Sequence, residues 1–143
     1  MSTLVSQVLA GKGRDVWSVP STDSVYDALA ELAEKGVGAL VVVDDGALVG
    51  ILSERDYARK VILHGRDSAS TRVSEIMTSD LFTVAPAQSV SDCMELMTEH
   101  RIRHLPVVDD GELVGVVSIG DVVKAVIADQ RFLIEQLESY ITS

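Results

Sequence analysis

Basic residues are scarce in this chain: 12 Lys and Arg stand against 22 Asp and Glu, a formal net charge of -10. That sign opposes the phosphate neutralisation on which general DNA and RNA binding depends, so no nucleic acid polymer is expected as a partner. An anionic membrane surface is disfavoured for the same reason. The longest aliphatic stretch, residues 39–43, stops at Asp44 and is far too short to span a bilayer. Cysteine is almost absent. The single Cys93 cannot close an intrachain disulfide, and neither it nor His64, His100 and His104 stands at zinc-ligand spacing or in an HExxH pattern, so no metal site is expected. There is no Ser/His/Asp or Cys/His order in a recognisable context and no P-loop lysine motif, so no catalytic residues are assigned and the chain reads as a non-enzyme. The opening MSTLVSQVL lacks a basic segment followed by an apolar stretch and a cleavage site, which predicts a cytoplasmic protein.

What is present is aliphatic: 47% of residues are hydrophobic while only 4% are aromatic, enough to build a core and too much for a disordered chain. At 143 residues the chain fits one compact domain or two very small ones sharing a core. A repeat decides between these. LVVVDDGALVGILSERD, residues 40–56, and LPVVDDGELVGVVSIGD, residues 105–121, share 11 identities in 17 positions at an offset of 65 without a gap. The offset continues upstream through residues 24–39 over 89–104 to Val19 over Val84. VSQVL from Val5 then matches VSEIM from Val73 at an offset of 68, so the first copy carries three extra residues around GKGRD.

Each copy predicts the same elements. A short β run, residues 16–19 or 81–84, precedes a polar stretch in which Ser24 or Ser89 suits a helix N-cap. The following helix buries Val25, Ala28, Leu29, Leu32 and Ala33, or Val90, Cys93, Met94 and Met97, at helical spacing. Two strands joined by Asp-Asp-Gly form a hairpin, and a second helix starts after Ser53 or Ser118. In the second copy this helix runs on through FLIEQLESYI, with Phe132, Leu133, Leu137, Tyr140 and Ile141 along one side, a surface for its own pair or for a partner subunit. The small, polar residues 64–72 read as the join. The expected division is a first repeat at 1–66, a linker at 67–72, a second repeat at 73–130 and a helical extension at 131–143. Cys93, aligned with Ala28, is expected as a buried structural cysteine, and Trp17, aligned with Phe82, as a core residue.

GILSERD at 50–56 and GVVSIGD at 115–121, with VSEIMT at 73–78 and HLPVVDD at 104–110, resemble the CBS domains named after cystathionine β-synthase. The resemblance covers nearly the whole chain. It implies an α/β (α+β) fold of tandem β-α-β-β-α repeats packed with pseudo-two-fold symmetry, with a C-terminal helix added. It also implies paired clefts between the repeats that take an adenosine-containing ligand such as AMP, ATP, NAD or S-adenosylmethionine, and usually a homodimer. Any output would act in trans on a downstream protein.

The Ser-x-x-Asp pattern has two physical readings. A Ser hydroxyl and an Asp carboxylate where a strand meets a helix can receive a nucleotide: the carboxylate accepts both ribose hydroxyls, and the hydroxyl and free N–H groups face a phosphate. The resemblance assigns Asp56 and Asp121 to ribose and Ser53 and Ser118 to phosphate. The same pattern is also a capping box, which stabilises a helix end with no ligand, and on that reading the chain is a dimerisation module with empty clefts. Where the first copy has Gly36, Gly38 and Ala39, the second has Arg101, Arg103 and His104. By resemblance Arg103 and His104 fall where phosphate is held, although in the order Arg-His, and the alternative is surface pairing of the arginines with carboxylates such as Glu99. Arg55, Arg59 and Lys60 form a second basic set, of which Arg55 can reach a phosphate from within the Ser-x-x-Asp turn.

Overall fold

The computed structural model describes residues 2–142, so Met1 and Ser143, the outer limits of the expected division, lie outside the described residues. The chain packs as two units: a central unit, Val16–Leu81, and a bipartite unit in which Met1–Asp15 joins Phe82–Ser143.

In the central unit, β1 (Ser18–Val19) leads to α2 (Val25–Lys35); the helix before them, α1 (Val5–Lys12), belongs to the other unit. Ser24 caps α2 by accepting the Asp27 N–H at 3.1 Å, and Gly36 ends it in the left-handed conformation at φ 65°. Its buried face is Val25, Ala28 and Leu32. The hairpin of β2 (Ala39–Asp44) and β3 (Ala47–Ser53) turns on Asp45 and Gly46, both at positive φ, which matches the twist of the flanking strands. β1 pairs parallel to β2. The closing helix expected after Ser53 is α3 (Glu54–Tyr57), which widens at once into a π-helical segment, Ala58–Ile62, that buries Val61. α4 (Val73–Ile76) completes the unit, with Val73 and Ile76 in one core with Val25, Leu32, Leu40, Val42 and Leu52. The expected linker is held rather than loose: Thr71 is buried, its hydroxyl donates to Asp67 O at 2.7 Å, and its carbonyl accepts the Val25 N–H at 2.8 Å.

The bipartite unit repeats this plan with α1 (Val5–Lys12), α5 (Val90–His100), β4 (His104–Asp109), β5 (Glu112–Ser118) and α6 (Ile119–Thr142). Ser89 and Asp92 form the capping box of α5. Val5 and Leu9 of α1 are buried with Val90, Cys93, Leu105, Val107 and Val117. The first residues are fastened there by Thr3, whose N–H and hydroxyl both donate to the Asp129 carboxylate, at 2.9 and 2.6 Å. The sequence copies and the packing units are therefore different divisions of the chain: α1 opens the first copy yet belongs to the core of the second hairpin, and α4 opens the second copy yet belongs to the core of the first.

The β run expected at 81–84 is reduced to a single bridge, Val84 parallel to Val107. Proline explains the difference. In the central unit Val41 N–H donates to Trp17 O at 3.2 Å. The residue aligned with Val41 is Pro106, which has no N–H to give to Phe82. Trp17 is a second departure from expectation. It is 39% exposed, with the Lys35 ammonium 4.4 Å over its ring, whereas Phe82 packs against the core and stacks on His100. Cys93 is fully buried, as expected, and burial together with the Asp92 charge pushes its thiol up to about 11.

Candidate functional site

Each motif begins with a glycine because nothing larger fits. A Cβ on Gly115 would stand 2.7 Å from Leu9 Cδ2, and one on Gly50 would stand 2.7 Å from Met77 Sδ and 3.1 Å from the Thr78 carbonyl oxygen. Neither glycine has a positive φ, so the requirement is one of space. The close approach lets α1, and the segment after α4, lie against the strand that carries the site.

In the central unit β3 ends at Ser53 and α3 begins. The Asp56 carboxylate turns back on the strand end: Oδ2 accepts the Ser53 N–H and the Ser53 hydroxyl, both at 3.0 Å, and Ser53 Oγ accepts the Asp56 N–H at 3.1 Å. Oδ1 faces the Thr78 hydroxyl at 3.3 Å and the Lys60 ammonium at 3.2 Å, and Lys60 also donates to Ile76 O at 3.0 Å. Arg55 stands half-buried in the same turn.

In the bipartite unit the corner is built alike at the Ser and Asp. Asp121 Oδ2 accepts the Ser118 N–H at 2.9 Å, and Ser118 Oγ accepts the Asp121 N–H at 3.2 Å. The lysine comes from elsewhere: Lys12, the last residue of α1, places its ammonium 2.6 Å from Asp121 Oδ2 and donates to Val116 O at 3.0 Å. Burial opposes ionisation of Asp121, but the Lys12 bond and charge and the Ser118 bonds outweigh it, holding the carboxyl below the usual carboxylate range. His104 pairs across the hairpin with Ser118, and the Ile119 N–H donates to Arg103 O at 2.8 Å, so both basic residues flank the corner. Burial first, then the positive charges of Lys12 and Arg103, lower the pKa of His104 against the opposing pull of Asp121.

The capping boxes anticipated as one reading of Ser-x-x-Asp are formed at both corners. Ser118, Asp121, Arg103 and His104 come together in one unit, and Ser53, Asp56 and Arg55 in the other. Lys12 and Thr78 escape sequence reasoning. Lys12 falls in the GKGRD insertion, where the two copies lose register, and Thr78 is visible in VSEIMT only as part of a motif. Lys60 stands four residues after Asp56, the spacing of a helical ion pair, and that spacing is a usable signal. Among the described residues no cluster of His, Cys, Asp and Glu suits a metal ion, and no helix is long and apolar enough to cross a membrane.

Comparison with known proteins gives the family. The profile described as CBS domain matches residues 6–63 and again 73–128. The chain is similar to the CBS domain-containing protein CBSX3, mitochondrial, of Arabidopsis thaliana, at 48% identity over 98% of this chain and 72% of that protein. Among solved structures it is similar to a putative signal-transduction protein with CBS domains from Burkholderia ambifaria, at 57% identity and a TM-score of 0.87 over 90% of this chain and 96% of that one. Two further similar structures hold adenosine compounds. The CBS domain protein PAE2072 from Pyrobaculum aerophilum is complexed with AMP (34% identity, TM-score 0.74, 82% of this chain and 88% of that one). The CBS domain pair of protein MJ0100 is in complex with 5′-methylthioadenosine and S-adenosyl-L-methionine (27% identity, TM-score 0.80, 90% and 99%). Two matched copies spanning most of the chain, and a relative 48% identical along nearly all of it, mean that this protein belongs to the CBS domain family as a tandem pair.

Proposed function

We propose that this chain is a non-catalytic sensor that binds an adenosine-containing ligand at its strand-to-helix corners and passes the bound state to a downstream protein in trans. The observation that carries the reading is the Asp121 corner: an ionised, part-buried carboxylate in the first turn of a helix, with Arg103 and His104 on the adjacent strand. A carboxylate accepts two ribose hydroxyls at once, and a helix start with basic neighbours suits a phosphate. Ser53 and Asp56 offer the same groups in the central unit, with Arg55 in the turn. The adenosine compounds held by two similar CBS proteins support the ligand class. Isothermal titration of the purified protein with AMP, ATP, NAD and S-adenosylmethionine tests it. Saturable heat from at least one compound is expected. Heat from none leaves the corners as helix caps.

We also propose a homodimer built on α6. Phe132, Leu133, Ile134, Leu137, Tyr140 and Ile141 are each more than half exposed along this helix, an apolar face of the kind that marks an interaction site. Light scattering at micromolar concentration is expected to give twice the chain mass, and a monomer would rule this out.

A further inference from the structure

The Asp121 corner is latched by a lysine from a separate element. Lys12 closes α1, Gly13 follows at φ 97°, and the ammonium shares Asp121 Oδ2 with the Ser118 N–H. His104 pairs across the hairpin with Ser118 and the Arg103 carbonyl accepts the Ile119 N–H, so the adjacent strand brings both basic residues to the corner that Lys12 latches. In the central unit the lysine on the aspartate is local instead: Lys60, four residues after Asp56, faces Oδ1 and leaves Oδ2 to Ser53. The offset of 65 carries Arg103 and His104 onto Gly38 and Ala39, and the offset of 68 carries Lys12 onto Asp80. The Lys12 side chain is 37% exposed, so a ligand arriving from solvent meets it.

We propose that Lys12 determines ligand specificity at this corner: it holds Oδ2 of the carboxylate that ribose needs, and it yields that oxygen readily only to an adenosine ligand bearing a 5′-phosphate. The inference rests on the adenosine reading above. Ribose hydroxyls donating to Asp121 compete with the ammonium for Oδ2. A neutral ligand that wins loosens the Lys12–Asp121 pair and gives the ammonium no anion in return, in a part-desolvated corner that already carries the positive end of a helix. A phosphorylated ligand brings a new partner as it removes the old one. The ion pair is partly buried and so costs something to open, and a charge-assisted bond to phosphate, stronger than a neutral one, offsets that cost. Lysine suits the transfer, because its flexible stem carries a point charge with three donors that can swing between acceptors.

Titrations with AMP and with adenosine, followed by the amide resonances of Gly120 and Asp121, read this corner alone. The wild type is expected to bind AMP about tenfold or more tightly than adenosine. Lys12→Gln should weaken AMP by a similar factor and tighten adenosine, because the latch is gone, while Lys12→Arg should keep the preference. A merely structural role for Lys12 would move both ligands the same way. Parallel loss of both in Lys12→Gln, an unchanged AMP-to-adenosine ratio, or equal wild-type affinities would overturn the inference and leave the adenosine reading standing. If neither compound shifts these amides in the wild type, the adenosine reading of the corner fails and the latch with it.

Discussion

Replacing Gly115 with alanine tests whether the motif glycine is there for space. Its Cβ would lie 2.7 Å from Leu9 Cδ2 and 3.0 Å from Cδ1, and Leu9 is 1% exposed in the core, with nowhere to retreat. Overpacking of this kind costs about 1–3 kcal/mol. The lower entropy of an unfolded chain with alanine returns about 0.4–1 kcal/mol. The net loss is therefore about 1.3 kcal/mol at the middle of these ranges and at most about 2.6 kcal/mol, or roughly 4–6 °C in Tm at the middle value for a chain of this size. Urea unfolding of the wild type, Gly115→Ala, Leu9→Ala and the double variant measures it. Leu9→Ala alone costs about 2–5 kcal/mol through its cavity, but in the double variant the new methyl enters that cavity, so the two losses should fall short of additivity by about 1 kcal/mol or more. Losses that simply add in the double variant would refute the steric account.

Ser89→Ala removes the side-chain acceptor of the Asp92 N–H at the start of α5, and urea unfolding should show a loss of about 0.5–2 kcal/mol. His104 has a folded pKa below its ordinary 6.5, so its protonation favours the unfolded chain. Its contribution to stability is complete above pH 6.5 and is lost as the pH falls below that value. Urea unfolding of His104→Gln should accordingly show a shallower loss between pH 7.5 and 5.5 than the wild type; identical slopes would count against the burial argument. Cys93, fully buried and with its thiol raised to about 11, should resist alkylation at pH 8 until denaturant is added.

Most of the fold is legible in the sequence because it is written twice. Periodicity located α2 and α5, and the Asp-Asp-Gly turns located both hairpins, since those turns need two residues at positive φ. The exchange of α1 and α4 between cores is not legible: self-similarity says which segments are alike, not which core each one enters. Trp17 aligned with Phe82 suggested a shared core role, yet Lys35 supplies Trp17 with a polar cover that lets it stay at the surface. At the site, Ser53, Asp56, Ser118 and Asp121 could be read because strand end, hydroxyl and carboxylate recur at fixed spacing. Lys12 could not, because its contact spans 109 residues and its position lies where the copies differ in length.

The most direct test of the central claim is an AMP titration by calorimetry of the wild type beside Asp121→Asn and Asp56→Asn. Asparagine still offers one oxygen to the Ser118 or Ser53 N–H, so the helix cap survives, but the second acceptor and the charge are gone. The account predicts saturable binding to the wild type and its loss at the corner whose aspartate is changed, with the fold intact. Wild-type affinity retained in both variants would contradict it.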